Sequence, residues 1–487
     1  MTENGGSSGS GSVTVTFGTG PAYDVVNPAT GVPVATVQST AASDLYDAIA
    51  AAAAAQARWA TTDLRQRLRL LRESADGVRA RAEELALLLT TEQGKPLKEA
   101  AIEVNRCADT FEYYAAEAEP ALARTTRSLV GKAAWVVKRP VGVIAAIVPW
   151  NFPLTLLANK LVPALAAGNA VVVKPAPTTP LATHALLDIL REVGIPPELT
   201  PCAVGGNDIG AALTTDPHVG MISFTGSTAT GRAIMAAVAP TVTRTVLELG
   251  GSDPLIVCDD ADLEAAARAT AVGRFFNCGQ ACVAVKRVFV MDDVYEEFLE
   301  KIVARAERLE LGDGTRPGVR LGPQHSEVER QKSVGMIADA VERGAKVVTG
   351  GTVPDTPELK AGYFLAPAIL TDVSPDAVIM NEECFGPVLP VTRVQSFDEA
   401  LAAANRTIYG LGSSVFTTNA RRAEEAVARL DAGYTWINDI ATDYDVLPFG
   451  GVKQSGFGRE RGLEGLDEYV SLKSVVAGNV PEGLYAG

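Results

Sequence analysis

The chain has 487 residues, 47% of them hydrophobic and 21% charged, with a formal net charge of −15. This length exceeds what one hydrophobic core supports and predicts at least two domains. The acidic balance excludes free nucleic acid as a partner, because phosphate binding needs a basic face. Six cysteines (Cys107, Cys202, Cys258, Cys278, Cys282 and Cys384) are too sparse for a disulfide framework and predict a reduced, cytoplasmic protein. No apolar run approaches the ~20 residues of a membrane span, and the N-terminus lacks a basic region followed by an apolar core.

Residues 1–12, rich in Gly and Ser, read as a flexible tail. From Ala41 to about Ala118 the pattern is helical: Ala- and Leu-rich windows carry charges on one face, with no proline before Pro96. After Val141 short apolar runs alternate with helical segments. The strand Val143–Val148 precedes the helix Leu154–Ala167, Ala170–Lys174 precedes Leu181–Val193, and Met221–Phe224 precedes Thr228–Val238. A second series begins near Asp253, with strands Pro254–Cys258 and Arg287–Met291 and helices Leu263–Phe276 and Val294–Leu309. Such alternation predicts parallel α/β sheets covered on both faces, with ligands at the carboxyl ends of the strands. The Gly-rich join at Leu247–Asp253 marks a domain boundary.

The motifs at those strand ends carry the chemistry. In Val-Pro-Trp-Asn-Phe-Pro (148–153), Asn151 is either an oxyanion donor or the cap of the following helix. Lys174 closes a strand, where a lysine binds ribose hydroxyls or phosphate or simply faces solvent. In the turn Phe224–Gly231, Gly226 admits a diphosphate close to the backbone and Ser227 caps a helix N-terminus, although capped Gly turns are common. Glu248 lies in Leu-Glu-Leu-Gly-Gly, where burial would raise its pKa toward that of a general base. Cys282 ends the run Phe-Phe-Asn-Cys-Gly-Gln-Ala-Cys (275–282). If it opens a helical turn, the local dipole lowers its thiol pKa; otherwise it is a buried inert cysteine. No further Cys or His stands near Cys278 and Cys282 to complete a zinc site, so no metal is expected. His184, His218 and His325 show no pairing pattern and read as structural.

Taken in order, and followed by Glu-Glu-Cys-Phe-Gly-Pro (382–387) and Pro-Phe-Gly-Gly (448–451), these motifs resemble the NAD(P)-dependent aldehyde dehydrogenase superfamily from about Tyr23 to Val476. The resemblance implies a Rossmann-like cofactor domain (13–121 and 141–248), an α/β catalytic domain (249–454) and a small β oligomerisation extension (122–140 and 468–478). It implies Cys282 as nucleophile, Asn151 as oxyanion donor, Glu248 as base toward water, and Lys160 with Glu460 as a proton relay. Trp150, Lys174, Gly206, Gly226, Ser227, Gly231, Leu249, Glu383 and Phe385 are implied to bind NAD or NADP. Phe152, Asn159, Phe276, Val283, Asp443 and Phe449 are implied to line the substrate pocket. The implied activity is oxidation of an aldehyde to a carboxylic acid by a homodimer or homotetramer.

The chain departs from the family pattern at informative places. Members strict for NAD often carry Glu three residues after the strand-end lysine; Pro177 stands there, which leaves NADP open. Asn159 precedes Lys160, where succinate-semialdehyde enzymes often have Arg and betaine-aldehyde enzymes often have Trp. The implied pocket is mostly apolar without a fixed cation, favouring a medium-sized neutral or aromatic aldehyde. Glu248 argues for hydrolysis rather than transfer to coenzyme A. Cys278 is either a buried spacer or the partner of a reversible disulfide with Cys282. A cofactor-free thioesterase and a non-catalytic scaffold are the alternatives from other classes.

Overall fold

The computed structural model describes residues 13–130, 132–440 and 444–478; the tail at 1–12 and Asp443 lie outside them. Four helices follow one another at Ala42–Trp59, Leu64–Ala80, Ala82–Gln93 and Leu97–Leu122. The second opens on Asp63, whose carboxylate accepts from Gln66 N at 3.2 Å and satisfies one of the donors a helix start leaves open. These helices pack their apolar stripes against a five-stranded sheet. Its strands Ala170–Lys174, Val143–Ile147, Val219–Thr225 and Arg244–Glu248 lie side by side in that order and run parallel, and Gly456–Phe457 closes the edge antiparallel. The two strands Val143–Ile147 and Ala170–Lys174 are buried throughout, as a sheet covered on both faces requires.

A seven-stranded sheet forms the second α/β unit. Asp253–Val257 and Val285–Met291 are central, flanked by Ala368–Thr371, Val388–Val394, Gly412–Phe416 and Tyr434–Ile437, with Lys346–Thr349 antiparallel at one edge. A three-stranded antiparallel sheet joins Val470–Ala477, Lys132–Pro140 and Thr125–Leu129. A further three-stranded sheet, in which Pro33–Gln38 pairs parallel with Val13–Thr16 and antiparallel with Ala22–Val26, covers the N-terminal side and has no counterpart among the elements expected from sequence. Among the described residues, no helix is long and apolar enough to cross a membrane.

The strand and helix boundaries read from sequence between Val143 and Leu309 agree with the structure to within three residues; the strand Arg244–Glu248, concealed by the Gly-rich join after it, and the strands and helices from Glu327 to Phe457 have no counterpart among them. The helix Pro153–Ala166 is buried on every face, so even Asn159 and Lys160 on it point into the interior. It stops at Gly168, whose φ of +92° turns the chain where an L side chain is strained.

Candidate active site

Helix Leu263–Phe275 ends in a turn that presents Cys282. Asn277, Cys278 and Gly279 all have left-handed backbone, at φ of 51°, 56° and 75°. Only Gly279 adopts this freely, and a Cβ there would collide with Gly386 O. At Asn277 and Cys278 the conformation costs about 1 kcal/mol each or more, so the surroundings must impose it. They do. Asn277 N donates to the Glu99 carboxylate at 2.7 Å, Asn277 Nδ2 to Asn151 O at 2.9 Å, and Gln280 Nε2 to Asn277 O at 2.9 Å. The buried Arg274 guanidinium donates to Val285 O, Gly279 O, Cys384 O and Gly386 O, tying this turn to the Glu383–Phe385 loop.

Cys282 itself lies in a turn that runs directly into the strand Val285–Met291. The helical start that would have lowered its pKa is therefore not there. Burial pushes the thiol up to about 12; Lys286 opposes this, and the carboxyls of Glu383, Asp253 and Glu248 add to it. Cys278 packs in the apolar cluster with Phe275 and Val288, and burial raises its thiol as well. It lines neither cavity that Cys282 lines.

Two cavities of about 240 Å³ each meet at Cys282 and Leu156, the two residues whose side chains belong to both walls. The first runs along the carboxyl ends of the five-stranded sheet. Trp150, Asn151, Gly226, Ser227, Leu249, Glu383 and Phe385 line it. Ser227 caps the helix Thr228–Val238, its hydroxyl accepting from Thr230 N at 3.2 Å, so the N-terminal end of that helix stands beside the cavity. Gly231, on that helix, allows close packing, since a Cβ there would meet the Leu249 side chain at 2.6 Å. Trp150 stacks on His325 at 4.4 Å and meets Phe385 edge-on at 5.6 Å. Burial holds His325 at about 4, so it is neutral and structural.

Lys174 and Gly206 are not in that lining. Lys174 ends the edge strand, two strands from the Gly226 turn, which is about 10 Å at ordinary strand spacing. Its ammonium is depressed by burial, against the pull of Asp208, and Gly206 caps the helix Asn207–Thr215 that carries Asp208. A helix N-terminus with a Gly turn, a lysine one strand-pair away, and a carboxylate and ring at the other end suit an extended dinucleotide.

The second cavity opens on the opposite side of Cys282. Phe152, Asn159, Phe276, Val283 and Phe449 line it, with Phe152 and Phe276 parallel at 6.1 Å. Two residues that sequence reasoning missed, Arg106 and Arg461, are also in its wall. The pocket expected to have no fixed cation thus carries two guanidinium groups. With its amide turned so that both ends find partners, Asn159 accepts from Arg461 Nε at 3.2 Å and donates to Thr155 O at 3.3 Å. No motif points to either arginine, because one lies within a long helix and the other past the last quoted motif.

Four further buried groups frame the centre: Asn151, the Lys95–Glu103 pair, the Lys160–Glu460 pair and Glu248. Asn151 Nδ2 donates to Gln280 O at 3.0 Å, which leaves its second amide hydrogen for another acceptor. Lys95 donates to Asn151 O at 2.6 Å and pairs with Glu103 at 2.5 Å, and Glu103 accepts from Leu154 N at 2.9 Å. Lys160 binds Glu460 and donates to Thr225 Oγ1 at 2.6 Å. Glu248, at the carboxyl end of its strand, is buried and neither of its carboxylate oxygens has a hydrogen-bond partner. Burial first, and then the charge of Glu460, hold its carboxyl well above the usual range, against Lys160, Arg459 and Arg461. Among the described residues, no cluster of metal-ligating side chains occurs.

Residues 16–475 match the aldehyde dehydrogenase family model. Mitochondrial succinate-semialdehyde dehydrogenase of Arabidopsis thaliana is 42% identical over 458 residues, covering 94% of this chain and 86% of that protein. An NADP-dependent enzyme of E. coli superposes with a TM-score of 0.92 at 37% identity, covering 94% of this chain and 95% of the other. Betaine aldehyde dehydrogenase of Staphylococcus aureus, solved with NAD+, gives 0.91 at 34% identity, over 95% and 92%. The chain belongs to the aldehyde dehydrogenase family and is an NAD(P)-dependent member of it.

Proposed function

We propose that this enzyme oxidises a compact aldehyde to the free carboxylic acid through a covalent intermediate on Cys282. The observation that supports this most directly is that Cys282 forms the shared wall of two cavities, with the unpartnered Glu248 carboxyl close enough to act on its thiol electrostatically. The aldehyde occupies the cavity of Phe152, Phe276 and Phe449, with its carbonyl carbon at Cys282 Sγ.

The thiolate forms a C–S bond to the carbonyl carbon, and the carbonyl π electrons move onto oxygen. That oxyanion accepts hydrogen bonds from the second N–H of Asn151 Nδ2 and from the Cys282 backbone amide; removing one such donor costs about 3 kcal/mol of barrier. Glu383, Phe385, Gly226 and Ser227 would hold NAD or NADP in the first cavity, with Lys174 beyond its lining at the end of the edge strand, and the cofactor would supply the acceptor for the hydride of this carbon, whose loss leaves a thioester. Glu248 then removes a proton from water as the water oxygen bonds to the thioester carbon. The C–S bond breaks, returning Cys282 thiolate and the carboxylic acid. Lys160 and Glu460, hydrogen-bonded to each other and close enough to act on Glu248 electrostatically, carry its proton away.

The strand Val470–Ala477 ends its sheet with Leu472 and Val476 strongly exposed. An exposed apolar edge invites pairing, and we extend the proposal to a cytoplasmic homodimer or homotetramer joined there. An aldehyde panel read by the near-ultraviolet absorbance of reduced cofactor tests the activity. Production of reduced cofactor by the wild type and none by Cys282→Ala is expected. Full turnover by that variant would overturn the covalent route.

A further inference from the structure

Lys286 enters none of these steps, yet it is among the largest fully buried side chains. It is the second residue of the strand Val285–Met291, seven consecutive buried positions otherwise mostly apolar. Removing an ammonium group from water costs several kcal/mol, so it persists only where close partners offset the loss. Its Nζ donates to Ala281 O at 2.8 Å and to Cys282 O at 2.5 Å, and lies 3.3 Å from the Glu383 carboxylate. It also stands 5.9 Å from the centre of the Phe385 ring. Glu383 is held in turn by Gly251 N at 3.1 Å. One cation thus touches the carbonyl of the nucleophile and both conspicuous side chains of the Glu383–Phe385 loop.

We propose that Lys286 is a positioning residue that locks the Cys282 turn against the Glu383–Phe385 loop and supplies the positive charge under which Cys282 ionises. This rests on the roles proposed above for Cys282 and Glu383. The need for such a charge is plain from the surroundings. Cys282 has no helix N-terminus, and His325, stacked on Trp150, is neutral. Glu383, Asp253 and Glu248 are the carboxyls that oppose its ionisation, and Lys286 is the cation that favours it. An opposite charge within about 4–6 Å is worth roughly one to three pH units of ionisation. The same ammonium anchors Glu383, so loss of Lys286 should loosen cofactor binding as well as the nucleophile.

The test is the rate at which iodoacetamide alkylates Cys282, followed by peptide mass spectrometry on the full-length protein without aldehyde. Lys286→Gln keeps a donor to the two carbonyls but removes the charge. It should react roughly tenfold more slowly than wild type at each pH from neutral to mildly alkaline. Lys286→Met should show the same fall together with a raised KM for NAD(P). Lys286→Arg, which keeps the charge, should stay within about threefold of wild type. A Lys286→Gln rate equal to wild type overturns the proposal, as does a Lys286→Arg loss equal to that of Lys286→Gln. Should the neutral variants fail to fold, a Lys286→Arg rate within about threefold of wild type supports the proposal and one roughly tenfold below wild type overturns it. A wild type that oxidises no aldehyde would instead overturn the proposed function, leaving the alkylation comparison intact.

Discussion

Replacing Glu248 with Gln tests the site most sharply, because it has opposite consequences for activity and for stability. The side chain is 3% exposed, its two oxygens have no hydrogen-bond partner, and Glu460 adds like charge nearby. Ionised Glu248 is therefore a strained species in the folded protein. Its folded pKa lies above the unfolded value, so the folded state holds the proton more tightly. The stability this gives is fully present below the ordinary carboxylate range and is lost as pH rises through the folded pKa. Each pH unit crossed costs the wild type about 1.4 kcal/mol. Glu248→Gln carries no such term, so its melting temperature relative to wild type should climb as pH rises above the ordinary carboxylate range, where unfolding releases the Glu248 proton, and level off above the raised folded value. Turnover should move the other way, falling roughly 10²- to 10⁴-fold with loss of the base. Since only hydrolysis is slowed, rapid mixing should show a burst of reduced cofactor equal to the enzyme present, and intact mass should show acylated Cys282. Wild-type turnover, or slow turnover with neither burst nor acyl-enzyme, would refute the assignment of Glu248 to the water step. A melting difference that stays constant with pH would refute the account of its ionisation.

The same geometry sets further outcomes. Lys95→Met strips the cation from Glu103 and removes one of the two donors to Asn151 O; urea unfolding should show a loss of about 3–5 kcal/mol, the usual result of leaving one member of a buried pair alone. Pro177→Glu adds a carboxylate near the end of the Lys174 strand, where Tyr23 Oη donates to Pro177 O at 2.8 Å. The ratio of kcat/KM for NADP to that for NAD should drop at least about tenfold, from repulsion of the 2′-phosphate. Placing glutamates at Leu472 and Val476 should shift the species seen by light scattering toward monomer, and an unchanged mass would place the interface elsewhere.

Much of the architecture is legible in the sequence because parallel strands covered on both faces leave short apolar runs such as Val171–Val173, punctuated by helices of clear period. The strand Arg244–Glu248 escapes because it opens on polar residues and ends in the Gly pair that reads as a linker. The small N-terminal sheet escapes because its strands are short and partly exposed. In the site, the residues flagged by motifs at strand ends do gather around Cys282: Asn151, Glu383 and Phe385 line one cavity, and Phe152, Phe276 and Phe449 the other. What stays hidden are charges with no motif of their own. Glu103 and Arg106 sit in an ordinary helix and Lys95 in the short loop before it, and only the three-dimensional packing turns them inward. Lys286 does leave a trace, as a charge inside an apolar run. The thiol environment differs from expectation at one point, since no local signal distinguishes a turn entering a strand from one entering a helix.

The meeting of two cavities at a single sulfur has a consequence for how such a protein diversifies. Of all the lining residues, only Cys282 and Leu156 serve both sides. Substitutions at Arg106, Phe276 or Phe449 can therefore redesign what approaches from one side without disturbing the recognition built on the other. An inhibitor filling the aromatic side should compete with aldehyde and not with NAD(P), and its selectivity among relatives will be decided by the few positions of that one wall.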